Sequence, residues 1–151
     1  MNSIEELRYL ILAAQREGDR LLSVALEPIG LTTSQAEVLR VLDDYAPLSL
    51  LELGERLICE TGSPSRLVNT LVEKGLVERK SSEIDRRRVT LSLTISGHQI
   101  VEKVKAIEQA FYGAISTSLE DIPLEEINTA LWKFVAGRPT GNALIRRKEK
   151  L

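Results

Sequence analysis

At 151 residues, with 43% hydrophobic and 28% charged residues, the chain has the size of one domain and can bury a core without disulfides. A single cysteine, Cys59, and a single histidine, His98, exclude an intramolecular disulfide and fall short of any Cys/His zinc pattern, so neither a structural metal nor a cofactor is expected. The net charge of −2 argues against nucleic acid only as a sum: residues 1–48 carry four basic and eight acidic groups, a balance of −4, whereas residues 62–98 carry seven basic and four acidic, a balance of +3.

Glu5 and Glu6 stand where a signal peptide needs basic residues, and no apolar run approaches the roughly 18 residues of a membrane span, which predicts a cytoplasmic chain with no membrane partner. Aromatics make up only 4%, so Leu, Ile and Val must pack the interior, a mix that favours helices on helices. Helical spacing of apolar residues runs from Ser3 to Glu27, with one loose turn around Gly18 and Asp19, and Pro28 and Gly30 end it. Thr32 with Gln35, and Ser49 with Glu52, form two capping-box patterns ahead of two short helices separated by Asp43 to Leu48.

Ser63 is the expected N-cap of the next helix, with Pro64 in its first turn and Gly75 at the C′ position. Leu67, Val68, Leu71 and Val72 face inward in that helix. Ser65, Arg66, Asn69 and Thr70 then face outward, a polar face suited to hydrogen bonds with bases and phosphates in a major groove. Leu76 to Lys80 and Arg88 to Leu93 read as two strands of a hairpin tipped by Asp85-Arg86-Arg87-Arg88. Thr94 caps a long helix ending near Leu119, and Pro123 begins a last helix running to Gly137. Beyond it, residues 138–151 read as a tail whose basic run, Arg146 to Lys150, either contacts phosphates or is a solvated end. The expected fold is mainly α with a small β-hairpin wing, and the terminal helices have more apolar face than a small central core can cover, which points to a second copy.

The sequence Leu71-Val72-Glu73-Lys74-Gly75-Leu76-Val77, then Asp85-Arg86-Arg87, then Thr94-Ile95-Ser96-Gly97, resembles the MarR family of bacterial regulators in its residues and in their spacing. The resemblance implies one MarR-like domain: a winged helix-turn-helix lobe over about 32–97, dimerisation helices over about 1–28 and 98–137, and the tail. It also implies that Arg87 enters a minor groove while Arg86 and Arg88 lie near phosphates, with Asp85 bracing the Arg87 guanidinium. Ser63 and Arg79 complete the expected DNA contacts. The family binds small aromatic effectors between its dimer core and DNA-binding lobes, so such an effector is an implied partner. Pro64 and Ile58 depart from the family pattern. A β-branched Ile58 resists the positive φ of the usual glycine turn, so the helix starting at Leu50 is expected to reach about Cys59, with the reversal at Thr61-Gly62.

Cys59 has two readings, a redox switch beside the recognition helix or a structural thiol where a helix-turn-helix usually buries a leucine. His98 reads as an exposed polar residue, while Tyr9, Phe111, Tyr112, Trp132 and Phe134 read as packing of a dimer interface. No nucleophile with a base, no paired carboxylates at a meaningful spacing and no phosphate-binding glycine loop appear, so the chain is not expected to be an enzyme. The function expected is a homodimeric repressor of a pseudo-palindromic operator, released by a small effector or by oxidation. The alternative is a winged-helix protein that acts by pairing with another regulator without touching DNA.

Overall fold

Asn2 starts the first helix, α1 (Ser3–Leu26): its Oδ1 accepts from the Ile4 and Glu5 amides at 3.1 and 2.9 Å, and Glu5 and Glu6 sit favourably against the helix dipole. In this computed structural model, which describes residues 1–59 and 63–149, α1 passes through Gly18 and Asp19 without the loose turn expected there. A 3₁₀ turn (Glu27–Ile29) follows. Both capping boxes form. Thr32 and Gln35 bond reciprocally at 3.2 and 3.1 Å to open α2 (Thr33–Tyr45), and Ser49 and Glu52 do so at 3.1 and 2.7 Å to open α3 (Leu50–Gly54).

Then come α4 (Pro64–Glu73), β1 (Val77–Ser81), β2 (Val89–Leu93), α5 (Ile95–Ser118), α6 (Leu124–Val135) and α7 (Pro139–Lys148). The strands pair antiparallel, Val77 opposite Leu93 and Ser81 opposite Val89. Leu48 extends this ribbon by exchanging backbone bonds with Leu91, at 3.2 and 2.7 Å, which ties the wing to the α2–α3 connection. The core gathers on α2. Val38, Leu39 and Leu42 pack with Val68 and Leu71 of α4, Leu91 of β2, and Val101 and Val104 of α5, all at most 2% exposed. Each such fully buried side chain contributes about 1.5–3 kcal/mol.

Two expectations need correction. The helix after Ser49 ends at Gly54 instead of reaching Cys59, because Arg56 and Leu57 donate to carbonyls only three residues back and a carboxylate from α2 captures the next amides. Glu37 accepts from Ile58 and from Cys59, both at 2.8 Å, which removes those amides from any helical ladder. Thr61 and Gly62, expected to make the reversal, lie outside the described residues. Second, residues 138–151 are not all tail: Pro139–Lys148 is helical, with Pro139 in its first turn, Arg146, Arg147 and Lys148 in its last, and Ala143 buried.

Candidate nucleic-acid interface

The outward face of α4 is set by its inward one. Val68 and Leu71 are fully buried and Leu67 and Val72 half-buried, so Ser65, Arg66 and Asn69 emerge on the exposed side. Ser63 has the extended backbone of an N-cap, φ −162° and ψ 120°, but its hydroxyl makes no capping bond. Thr70 is half-buried, and its hydroxyl donates to the Arg66 carbonyl at 3.0 Å, which occupies its proton within the helix.

At the other end the chain turns through a Schellman motif. The Gly75 and Leu76 amides donate to the Val72 and Leu71 carbonyls at 2.9 and 3.0 Å, and Gly75 takes φ +72°. The first wing strand therefore leaves immediately beside the helix. Thr94 fastens this junction to α5, donating from Oγ1 to the Gly75 carbonyl at 2.6 Å and accepting there from the Gly97 amide at 3.0 Å. Arg79 of β1 reaches back to donate from Nη2 to Asn69 Oδ1. That bond couples wing and helix, and it engages one of the two lone pairs of the Asn69 oxygen, leaving the amide N–H donors and the second lone pair for a base.

The wing tip is organised by Asp85 in a way the sequence reading did not foresee. Its Oδ1 accepts from the Arg87 backbone amide at 3.0 Å, and its carbonyl accepts from the Arg88 amide at 2.9 Å; the guanidinium of Arg87 is not braced by it. A carboxylate one carbon from the backbone closes most readily on the amide two residues ahead, so Asp85 shapes the turn instead of the side chain. Ser82 supports it, accepting from the Ile84 and Asp85 amides at 3.3 Å each.

The three tip arginines then differ. Arg88 points back to α3, 3.5 Å from Glu52, whose carboxyl is held below its usual range by the Ser49 amide and, to a smaller extent, by Arg88. Arg86 and Arg87 are exposed, and neither side chain has a hydrogen-bond or ion-pair partner among the described residues. They form the unsatisfied positive prong of the surface.

Cys59 lies between α3 and α4, half-buried, with its thiol pushed up to about 12 by burial and by the neighbouring Glu37 carboxylate. Thiolate is the reactive form, so this environment opposes peroxide chemistry. His98 is exposed as expected, 3.5 Å from Asp43, which also pairs with Lys105 at 2.8 Å and so joins α2 to α5. No group of three or more metal-ligating side chains occurs among the described residues, and no described helix is long and apolar enough to cross a membrane.

Two contacts escaped the sequence reading. The Arg79–Asn69 bond depends on strand register, which short strands do not reveal. The pairing of Arg147 with Glu37, on the helix read as a tail, was signalled only by Pro139 at a first helical turn and the basic residues of the last. Between α1, α2, α5 and α7 lies a cavity of about 430 Å³ whose lining includes Leu22, Arg40, Cys59, Tyr112 and Arg147.

A family model described as a winged helix DNA-binding domain matches residues 31–97. The organic hydroperoxide resistance transcriptional regulator of Bacillus subtilis is 30% identical over 130 residues, covering 86% of this chain and 87% of that one. The multiple antibiotic resistance protein MarR of Escherichia coli is 35% identical over 102 residues, covering 68% and 71%. A mutant of that MarR, solved in complex with operator DNA, superposes with a TM-score of 0.78 at 30% identity over 89% of this chain and 96% of that chain. The helix, the wing and the relatives agree, and the chain belongs to the MarR family of winged helix-turn-helix, DNA-binding transcriptional regulators.

Proposed function

We propose that the protein is a homodimeric repressor that binds a pseudo-palindromic operator through a lobe over about residues 32–97 and dimerises through residues 1–28 and 98–137. The observation that carries this reading is the exposed polar face of α4 beside a wing whose Arg86 and Arg87 have no side-chain partner among the described residues. In this arrangement Ser65, Arg66 and Asn69 read a major groove, Arg87 enters the adjacent minor groove, and Ser63, Thr70, Arg79, Arg86 and Arg88 lie near the phosphate backbone. Two such lobes place their recognition helices roughly 34 Å apart, one helical turn of DNA.

Release by a small aromatic effector is supported by the cavity of about 430 Å³, which falls within the size of small-molecule sites and sets Leu22, Val41 and Tyr112 beside the ion pairs of Arg40 with Glu108 and Arg147 with Glu37. Oxidation of Cys59 is the weaker route, given its raised thiol. The test is footprinting on the DNA flanking the protein's own gene, followed by titration of the protected duplex at several salt concentrations. A symmetric footprint and a steep negative slope of log affinity against log salt are expected. Absence of any salt-dependent duplex binding would instead favour a regulator that acts only by pairing with other proteins.

A further inference from the structure

We infer that Arg147, in the C-terminal helix, is a positioning residue for DNA reading: it clamps Glu37 onto the segment that leads into the recognition helix. The inference rests on the reading of the protein as an operator-binding regulator and adds a part of the chain outside the winged lobe to its machinery.

Glu37 on α2 is the hub. Its side chain is only 16% exposed, and its two oxygens accept the Ile58 and Cys59 amides, both at 2.8 Å. Arg147 reaches it from α7, pairing Nη2 with Oε1 and donating from Nε to the Arg56 carbonyl at 2.7 Å. The α7 backbone is held in turn, because the Tyr45 hydroxyl donates to the Arg147 carbonyl. One planar guanidinium therefore bridges α2 and the connection between α3 and α4, a geometry that suits arginine's fixed fork.

Removing it leaves a poorly solvated carboxylate without its cation and strips a donor from the Arg56 carbonyl, so the connection loosens where α4 must be aimed.

The test compares the full-length protein with Arg147→Ala, Arg147→Lys and Lys148→Ala. Three quantities are measured: amide hydrogen exchange at Ile58 and Cys59, affinity for the footprinted duplex, and the dependence of that affinity on salt. Arg147→Ala should speed exchange at both amides about tenfold or more and weaken DNA binding by about tenfold, the loss expected for a charged hydrogen bond. The salt slope should stay that of the wild type, since no phosphate contact is lost. Lys148→Ala removes the same charge from the same helix and should change neither exchange nor affinity by more than about twofold.

Should Arg147→Ala be too unstable at the assay temperature, Arg147→Lys decides. It keeps a cation for Glu37 but cannot also hold the Arg56 carbonyl, so a smaller loss in both readouts is expected, and no loss in either overturns the inference. Unchanged exchange in Arg147→Ala overturns it, as does a salt slope reduced by about one, which would make Arg147 a phosphate contact. Equal weakening by Lys148→Ala overturns it too, because the effect would then be net charge alone. A wild-type protein that binds no duplex sinks the operator reading itself, whereas a wild type that binds while Arg147→Ala exchanges normally sinks only the clamp.

Discussion

The three arginines of the wing tip share a residue type and almost a position, yet their surroundings give them different work. Arg88 pairs at 3.5 Å with Glu52 and stays exposed, while Arg86 and Arg87 have no side-chain partners among the described residues. Arg87→Ala should weaken operator binding by about 1–3 kcal/mol, the size of a lost groove contact, with sedimentation showing an intact dimer. Arg86→Ala should weaken binding to all duplexes alike and lower the salt slope by about one. Near-wild-type affinity for Arg87→Ala would remove its minor-groove role. Cys59 makes the opposite case. Its thiol is raised from an ordinary value of 9 to about 12, burial being the larger cause and Glu37 the next. The stability gained by keeping the thiol neutral is complete below pH 9 and is lost as pH rises towards 12. Peroxide treatment near neutral pH should therefore leave DNA binding undiminished, in the wild type as in Cys59→Ser, and loss of binding in the wild type alone would restore the redox switch.

Among the elements, the junction of wing and α5 is tightly constrained. A Cβ at Gly97 would lie 2.1 Å from the Leu76 carbonyl oxygen and 3.2 Å from the Leu93 Cβ, so Gly97→Ala must displace backbone. Overpacking of this kind costs about 1–3 kcal/mol, to be read as a lower urea midpoint at unchanged slope. A fully stable Gly97→Ala would show that the first turn of α5 is free to move. The same junction shows what a sequence carries and what it hides. Local patterns survived: the Thr32/Gln35 and Ser49/Glu52 boxes, Gly75 as a helix stop and Thr94 as a cap all formed as read, because each involves residues within a few positions of one another. Contacts across sequence distance did not. The early end of α3 depends on Glu37, twenty-one residues before Ile58, and the packing of α7 depends on the same carboxylate, 110 residues before Arg147. Asp85 failed for a subtler reason, since its spacing from Arg87 fits either the guanidinium or the amide, and only the turn geometry chooses.

At the scale of the whole molecule, the distribution of apolar surface argues for a partner. Helix α6 has no buried residue, yet Ile122, Leu124, Leu131 and Phe134 are all at least 40% exposed on or beside it. Helix α1 adds Ile4, Leu7 and Leu10, and α5 adds Tyr112 and Ile115. Single exposed apolar side chains are ordinary, but a row of them along an amphipathic helix with no buried residue, as on α6, marks an interface. A second copy covers such a face most simply, because a two-fold axis sets each patch against itself. Leu131→Glu combined with Phe134→Glu should then produce monomers, since charges buried at a dimer core without partners are expensive. Wild-type thermal midpoints should rise with protein concentration and those of the double variant should not. Monomers must also bind the operator far more weakly, because the second half-site is no longer tethered at high effective concentration, whereas affinity for an isolated half-site should barely change. A double variant that stays dimeric, or one that becomes monomeric with full operator affinity, would show that α6 serves some end other than pairing two DNA-reading lobes.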